Sequence, residues 1–176
     1  MSTGKVSKAN PQVVLNIVDG ESKYEISEFV SRHFNGGNSK DFKGVKYEPS
    51  ELIGLLNAVI SLLKTEKTLV KIDAPATIVG DLNGHFQDLI RIFNIKTDEE
   101  DKDETKFAFI CEKFVFLGDY TDYSEHNLET VCLVFALKLL YDTRYVLLRG
   151  HQEIFTGTEF EVLVQIYPKR PGSELK

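Results

Sequence analysis

The chain has 176 residues, 42% of them hydrophobic, which suits one domain with a buried core. Its 27 acids against 21 Lys and Arg leave a net charge of −6, which argues against a nonspecific nucleic-acid binder, since that would need a basic footprint. The two cysteines, Cys111 and Cys132, make neither a disulfide framework nor a cysteine-based zinc site, and no apolar run approaches the roughly 18 residues of a membrane-spanning helix.

In chain order, Met1 to Lys8 is polar and lacks the apolar stretch of a signal peptide. Ile26, Phe29, Val30 and His33 share one face of a predicted helix that Gly36-Gly37 should stop, with His33 at the core or its rim. After a polar, glycine-containing stretch, Pro49 opens a second helix carrying Leu52, Leu55, Leu56, Val59, Ile60 and Leu63. Its apolar face is expected to pack on the strands that follow. Leu69 to Ile72 and Ala76 to Val79 read as short strands around the turn Asp73-Ala74-Pro75. Phe86, Leu89, Ile90 and Phe93 return to helical spacing. Asp98 to Glu104, with six acids and one lysine, reads as a solvated loop. Phe114 to Leu117 is apolar throughout, as a strand buried on both faces would be. Leu128 to Leu140 is helical, with Leu128, Val131, Cys132 and Phe135 on one face, and Tyr145 to Leu148 is the last strand. Both cysteines read as packing residues. From Ala76 onward the order strand, helix, strand, helix, strand argues for parallel strands joined by right-handed crossovers.

Each of these three strands ends in a glycine followed by polar residues: Gly80-Asp81-Leu82-Asn83-Gly84-His85, Gly118-Asp119-Tyr120-Thr121-Asp122 and Gly150-His151-Gln152-Glu153. In parallel α/β sheets, sites form beyond the carboxyl ends of strands, where loops converge on a rigid frame. Asp81, Asp119 and Asp122 gathered there would repel one another, so the site needs a cation, a neighbouring base or a raised pKa. Oxygen and imidazole donors together suit manganese, iron or zinc.

The stretch from Glu48 to Glu153 resembles the serine/threonine phosphoprotein phosphatase (PPP) family, and within it protein phosphatase one. The family signatures GDxHG, GDxVDRG and GNHE stand here as Gly80 to Gly84, Gly118 to Ser124 and Gly150 to Glu153. The connectors agree as well, in Ala74-Pro75, Leu128-Glu129-Thr130 and Leu147-Leu148-Arg149. The resemblance implies an α/β fold, a calcineurin-like metallophosphoesterase half-sandwich with a βαβαβ unit preceded by a helical segment. It divides the chain into a helical N-terminal segment (1–66), a metallophosphatase-like region (67–160) and a loose tail (161–176). Half of a two-sheet sandwich exposes an apolar sheet face and unpaired strand edges. The helices before Leu69 cover that face, a partner covers it, or the chain is unstable.

The resemblance also assigns roles by position. In the family, two metal ions activate a water that attacks phosphorus. Asp81, Asn83, Asp119 and His151 occupy metal-ligand positions, with an amide at Asn83 in place of imidazole and His151 in place of an asparagine. Gln152 stands at the position of the general-acid histidine, and an amide has no proton to give at a useful pKa. Asp122 matches the aspartate that orients that histidine and is expected to have lost its partner. Tyr123 replaces the phosphate-binding arginine and offers one neutral hydrogen bond instead of a charged fork. His85, two residues beyond Asn83, reads as a solvated loop residue. The expected function is therefore a PPP-like protein that is catalytically impaired and acts, if at all, by binding, the alternative being an active metal-dependent phosphoserine/phosphothreonine protein hydrolase. Divalent metal (manganese, iron or zinc) is the cofactor if there is one. A phosphoprotein or a phosphatase-regulatory protein is the expected partner, with neither nucleic acid nor membrane, in an intracellular setting of cytoplasm or nucleus.

Overall fold

The computed structural model describes residues 14–16, 23–39, 41–93 and 113–154. A short antiparallel pair, β1 (Val14–Asn16) and β2 (Lys23–Glu25), precedes two helices, α1 (Ile26–Gly37) and α2 (Pro49–Leu63). Then come β3 (Thr77–Val79), α3 (Phe86–Phe93), β4 (Phe114–Phe116), α4 (Asn127–Leu140) and β5 (Tyr145–Leu147), closed by a 3-10 turn at Gln152–Ile154. The strands β3, β4 and β5 lie side by side in that order and run parallel, with Ile78 opposite Val115 and Val115 opposite Val146. The predicted βαβαβ alternation is present, with the parallel pairing it implies. The acidic run Asp98 to Glu104, Cys111 and the carboxyl-terminal tail lie outside the described residues.

Helix α4 is the centre of the structure. It was expected to bury one face led by Leu128, but Leu128 is exposed while Leu133, Val134, Ala136 and Leu137 are almost wholly buried. The reason is that α4 has neighbours on several sides: β5, α3, α1 and α2 all pack on it. A helix enclosed in this way loses the two-sided pattern of a surface helix. On the sheet side, Phe93 of α3, Phe114, Phe116 and Tyr145 form an aromatic cluster, with Phe93–Phe114 and Phe114–Tyr145 ring centroids each 5.3 Å apart. Such contacts add to burial through edge and offset ring geometry.

Helix α1 buries Ile26, Phe29, Val30, His33 and Phe34 at the predicted spacing. Gly36 and Gly37 do not stop it; both lie inside its last turn. Gly37 is there because α3 comes close, and a Cβ would sit 2.6 Å from Ile90 Cγ1 and 2.9 Å from Phe86 Cε1. Helix α2 departs from expectation in what it packs against. Its buried stripe is Gly54, Leu55 and Val59; the helix packs on α4 and β1 rather than on the strands that follow it, while Leu56 and Ile60 remain 45% and 48% exposed. No strand forms at Leu69 to Ile72, where Leu69 is exposed. An apolar β-branched run becomes a strand only where a neighbour offers a ladder, and none does so among the described residues. The helices before Leu69 thus cover α4 and not the sheet's second face.

Polar residues fasten these layers. Lys138, fully buried in α4, donates to the carbonyls of Asp142 (2.6 Å) and Tyr145 (2.8 Å) and pairs with Glu66 beyond α2. Arg32 of α1 pairs with buried Glu51 of α2. His33 is fully buried, its Nδ1 2.7 Å from the Phe29 carbonyl and its Nε2 2.7 Å from the Tyr47 hydroxyl. Since a carbonyl only accepts, Nδ1 carries the proton and Tyr47 donates to Nε2. Burial pushes the Cys132 thiol of α4 up to about 12. The His33–Tyr47 hydrogen bond therefore ties α1 to the segment that leads into α2. Tyr47→Phe strands Nε2 and is expected to lower unfolding free energy by about 1–2 kcal/mol, measured by urea denaturation at neutral pH.

Candidate functional site

The three loops after β3, β4 and β5 meet at one end of the sheet, and backbone hydrogen bonds show how closely. The Asp119 carbonyl accepts the N–H groups of Leu82 (3.0 Å) and Asn83 (2.8 Å), and the Tyr120 carbonyl accepts that of Gly84 (2.9 Å). These bonds tie the first loop to the second. Asn127, the first residue of α4, staples the second loop internally: its Oδ1 accepts the Asp122 N–H (2.9 Å) and its Nδ2 donates to the Asp122 and Ser124 carbonyls.

The second and third loops approach backbone to backbone. Gly118, at φ +108°, would place a Cβ 1.9 Å from the Gly150 nitrogen, so only glycine fits in both space and conformation. Asp119 follows with φ +50° and Asn83 has φ +45°, both left-handed positions that asparagine and aspartate tolerate best among non-glycine residues.

Glu153 binds this junction. Its Oε2 accepts the N–H groups of Asp119 (2.8 Å) and Gly150 (2.8 Å), and its Oε1 accepts that of Tyr120 (3.0 Å). Tyr120 adds a hydrogen bond from its hydroxyl to the Leu148 carbonyl at 2.8 Å. Burial raises the Tyr120 phenol, the neighbouring Glu153 carboxylate raises it further, and it remains a neutral donor. Sequence reasoning named Glu153 only as the last letter of its motif. Its survival, where the two preceding positions have changed, was the available signal of a structural task.

The candidate reactive residues fall into two sets. Asp122 and Gln152 are brought together: Gln152 Nε2 donates to Asp122 Oδ2 at 2.8 Å. The expectation that Asp122 had lost its partner is therefore corrected, because the glutamine amide reaches the carboxylate. Asp119 is also held, with its Oδ1 accepting the Gln152 backbone N–H at 2.6 Å. The carboxylates that were expected to need a cation, a base or a raised pKa are thus met in part by N–H donors, which stabilise negative charge without adding a formal positive one. The other set faces outward. Asp81 and His151 are exposed, Asn83 is half-buried, and Tyr123, at the arginine position, is 86% exposed. Asp81 and His85 border a groove beside β3, together with Asp88 of α3.

A family model for calcineurin-like phosphoesterases matches residues 74–172, more than half of the chain. The chain belongs to the calcineurin-like phosphoesterase family. Among similar proteins, an uncharacterized protein of Caenorhabditis elegans is 46% identical over 108 residues, covering 61% of this chain and 42% of that protein. The serine/threonine-protein phosphatase 6 catalytic subunit of Caenorhabditis elegans is 38% identical over 109 residues, covering 61% of this chain and 30% of that subunit. This phosphoesterase-family chain, PPP-like in its motifs, therefore spans less than half the length of either relative.

Calcineurin-like phosphoesterases use divalent metal ions as a family. The donor types here, two carboxylates, an amide oxygen and an imidazole, suit such ions chemically. Their arrangement does not: among the described residues no three His, Cys, Asp or Glu side chains converge as metal ligands, and one oxygen of Asp119 is committed to Gln152. The described residues do not fit a two-metal centre. Among the described residues no helix is long and apolar enough to cross a membrane.

Proposed function

We propose that this chain is a phosphatase-like protein without effective hydrolytic turnover, a pseudophosphatase that acts by binding a phosphoprotein or a phosphatase-regulatory protein inside the cell. The observation that carries this reading is the Gln152–Asp122 hydrogen bond. An acid–base pair at this place needs a side chain that can release a proton to the departing alkoxide, and a glutamine amide holds its protons throughout the accessible pH range. General acid–base help is worth about 10²–10⁴ in rate. The exposed Tyr123 supports the same reading, since a lone phenol gives phosphate neither charge nor a bidentate fork.

The test is hydrolysis of p-nitrophenyl phosphate and of phosphoserine peptides by the purified chain with manganese added. Expected turnover equals that of Asp119→Ala and of the buffer blank. Turnover that Asp119→Ala abolishes, from protein carrying stoichiometric manganese, iron or zinc, would instead establish the active hydrolase with Asp81, Asp119 and His151 as its ligands.

A further inference from the structure

Strand β3 is an edge strand: among the described residues it pairs only with β4. The Thr77 N–H donates to the Lys113 carbonyl (2.8 Å) and the Val79 carbonyl accepts the Leu117 N–H (2.9 Å), so residues 77 and 79 point their backbone groups toward β4. The alternation of a strand then turns the N–H and C=O of Ile78 outward. An outward donor and acceptor on an edge strand form a template for another extended chain.

What lies beside that edge is a groove of about 350 Å³ between β3 and α3, bordered by Ile78, Gly80, Asp81, His85, Asp88 and Ile92. The Ile78 side chain is 60% exposed, an unusual state for an isoleucine in a parallel sheet, where both faces are normally covered. Asp88 is compensated by Arg91 at 2.5 Å, but the exposed Asp81 carboxylate has no hydrogen-bond or salt-bridge partner among the described residues. The groove thus offers an apolar wall, a backbone ladder and an uncompensated negative charge at the carboxyl end of the strand.

We propose that the β3 edge is a docking site for an extended segment of a partner protein that alternates apolar and cationic side chains. It would add a strand beside Ile78 and set a lysine or arginine against Asp81. Main-chain bonds supply the affinity in such additions and alternate side chains supply the selectivity. Charge decides against a second copy of this chain. Antiparallel self-pairing centred on Ile78 sets Asp81 opposite Pro75, which has neither a cation nor an N–H, and each copy carries a net charge of −6.

The test uses the full chain and two acetylated eight-residue peptides, one alternating valine with lysine and one alternating valine with glutamate. Binding is measured by calorimetry and backbone exchange by NMR. The lysine peptide is expected to bind and to slow exchange of the Ile78 amide about ten-fold or more. Asp81→Asn is expected to weaken that binding about three-fold, the size of an exposed ion pair. Equal binding of the glutamate peptide, protection that bypasses Ile78, an Ile78 amide already protected by the protein's own segments, or dimerisation that buries the edge would each overturn the proposal. Phosphatase assays read none of these outcomes, so this proposal and the catalytic one fail separately.

Discussion

Glu153→Ala is expected to lower the unfolding free energy by about 3 kcal/mol. One carboxylate accepts three backbone N–H groups from two loops, those of Asp119, Tyr120 and Gly150. Hydrogen bonds to a charged acceptor contribute about 1.5–3 kcal/mol each, and bonds that share one acceptor group are less than additive. Truncation also leaves three donors around an empty space, and Tyr120 is buried, so water replaces the lost acceptor poorly. Glu153→Gln should fall between alanine and the natural residue. Its single acceptor oxygen can serve the Asp119 and Gly150 side, but its NH₂ then faces the Tyr120 N–H. Urea unfolding of the three proteins at neutral pH checks the order, and a loss below about 1 kcal/mol for Glu153→Ala would mean that the loops are held by other contacts.

The second large effect is an acid-dependent loss of stability centred on His33. Burial, with the Arg32 guanidinium adding to it, lowers its pKa from 6.5 to about 4, although the hydrogen bond to the Phe29 carbonyl opposes the shift. The folded protein therefore keeps His33 neutral while the unfolded chain takes up a proton below pH 6.5. The contribution is complete above pH 6.5 and is lost progressively as pH falls below it, the loss levelling off near pH 4, where the folded state is protonated too. The shift corresponds to about 3 kcal/mol over that window. The structural cause is plain: protonated Nε2 would confront the Tyr47 O–H, which now donates to it. His33→Gln should lose this slope while retaining polar partners. Comparing urea midpoints of the two proteins at pH 7 and pH 4.5 subtracts the contributions of the carboxylates, which titrate in both. Parallel pH profiles would remove His33 as the cause.

Much of the site was legible before any coordinates. The glycines that open each loop, the aspartates behind two of them and the motif order place the polar groups beyond the strand ends, because turn chemistry and strand alternation are written in neighbouring residues. What was not legible is who answers whom. Asp122 was read as deserted, yet Gln152, 30 positions on, donates to it. Asp119 was read as a metal ligand, and the Gln152 backbone occupies one of its oxygens. Substitution at a motif position says which chemistry has gone; the replacement side chain still finds hydrogen bonds in the same place.

The sequence by itself determined the helices around Phe29, Leu55, Leu89 and Leu133, the three parallel strands and the family to which they belong. Periodicity and motif order act over a few residues and need no knowledge of the rest. Only the tertiary structure decided that α4 is enclosed, that α2 packs on it instead of on the parallel sheet, that Leu69 to Ile72 forms no strand, and that β3 pairs on one side only among the described residues. Each of these depends on which surfaces meet across long stretches of chain, and burial is a property of the meeting rather than of either segment.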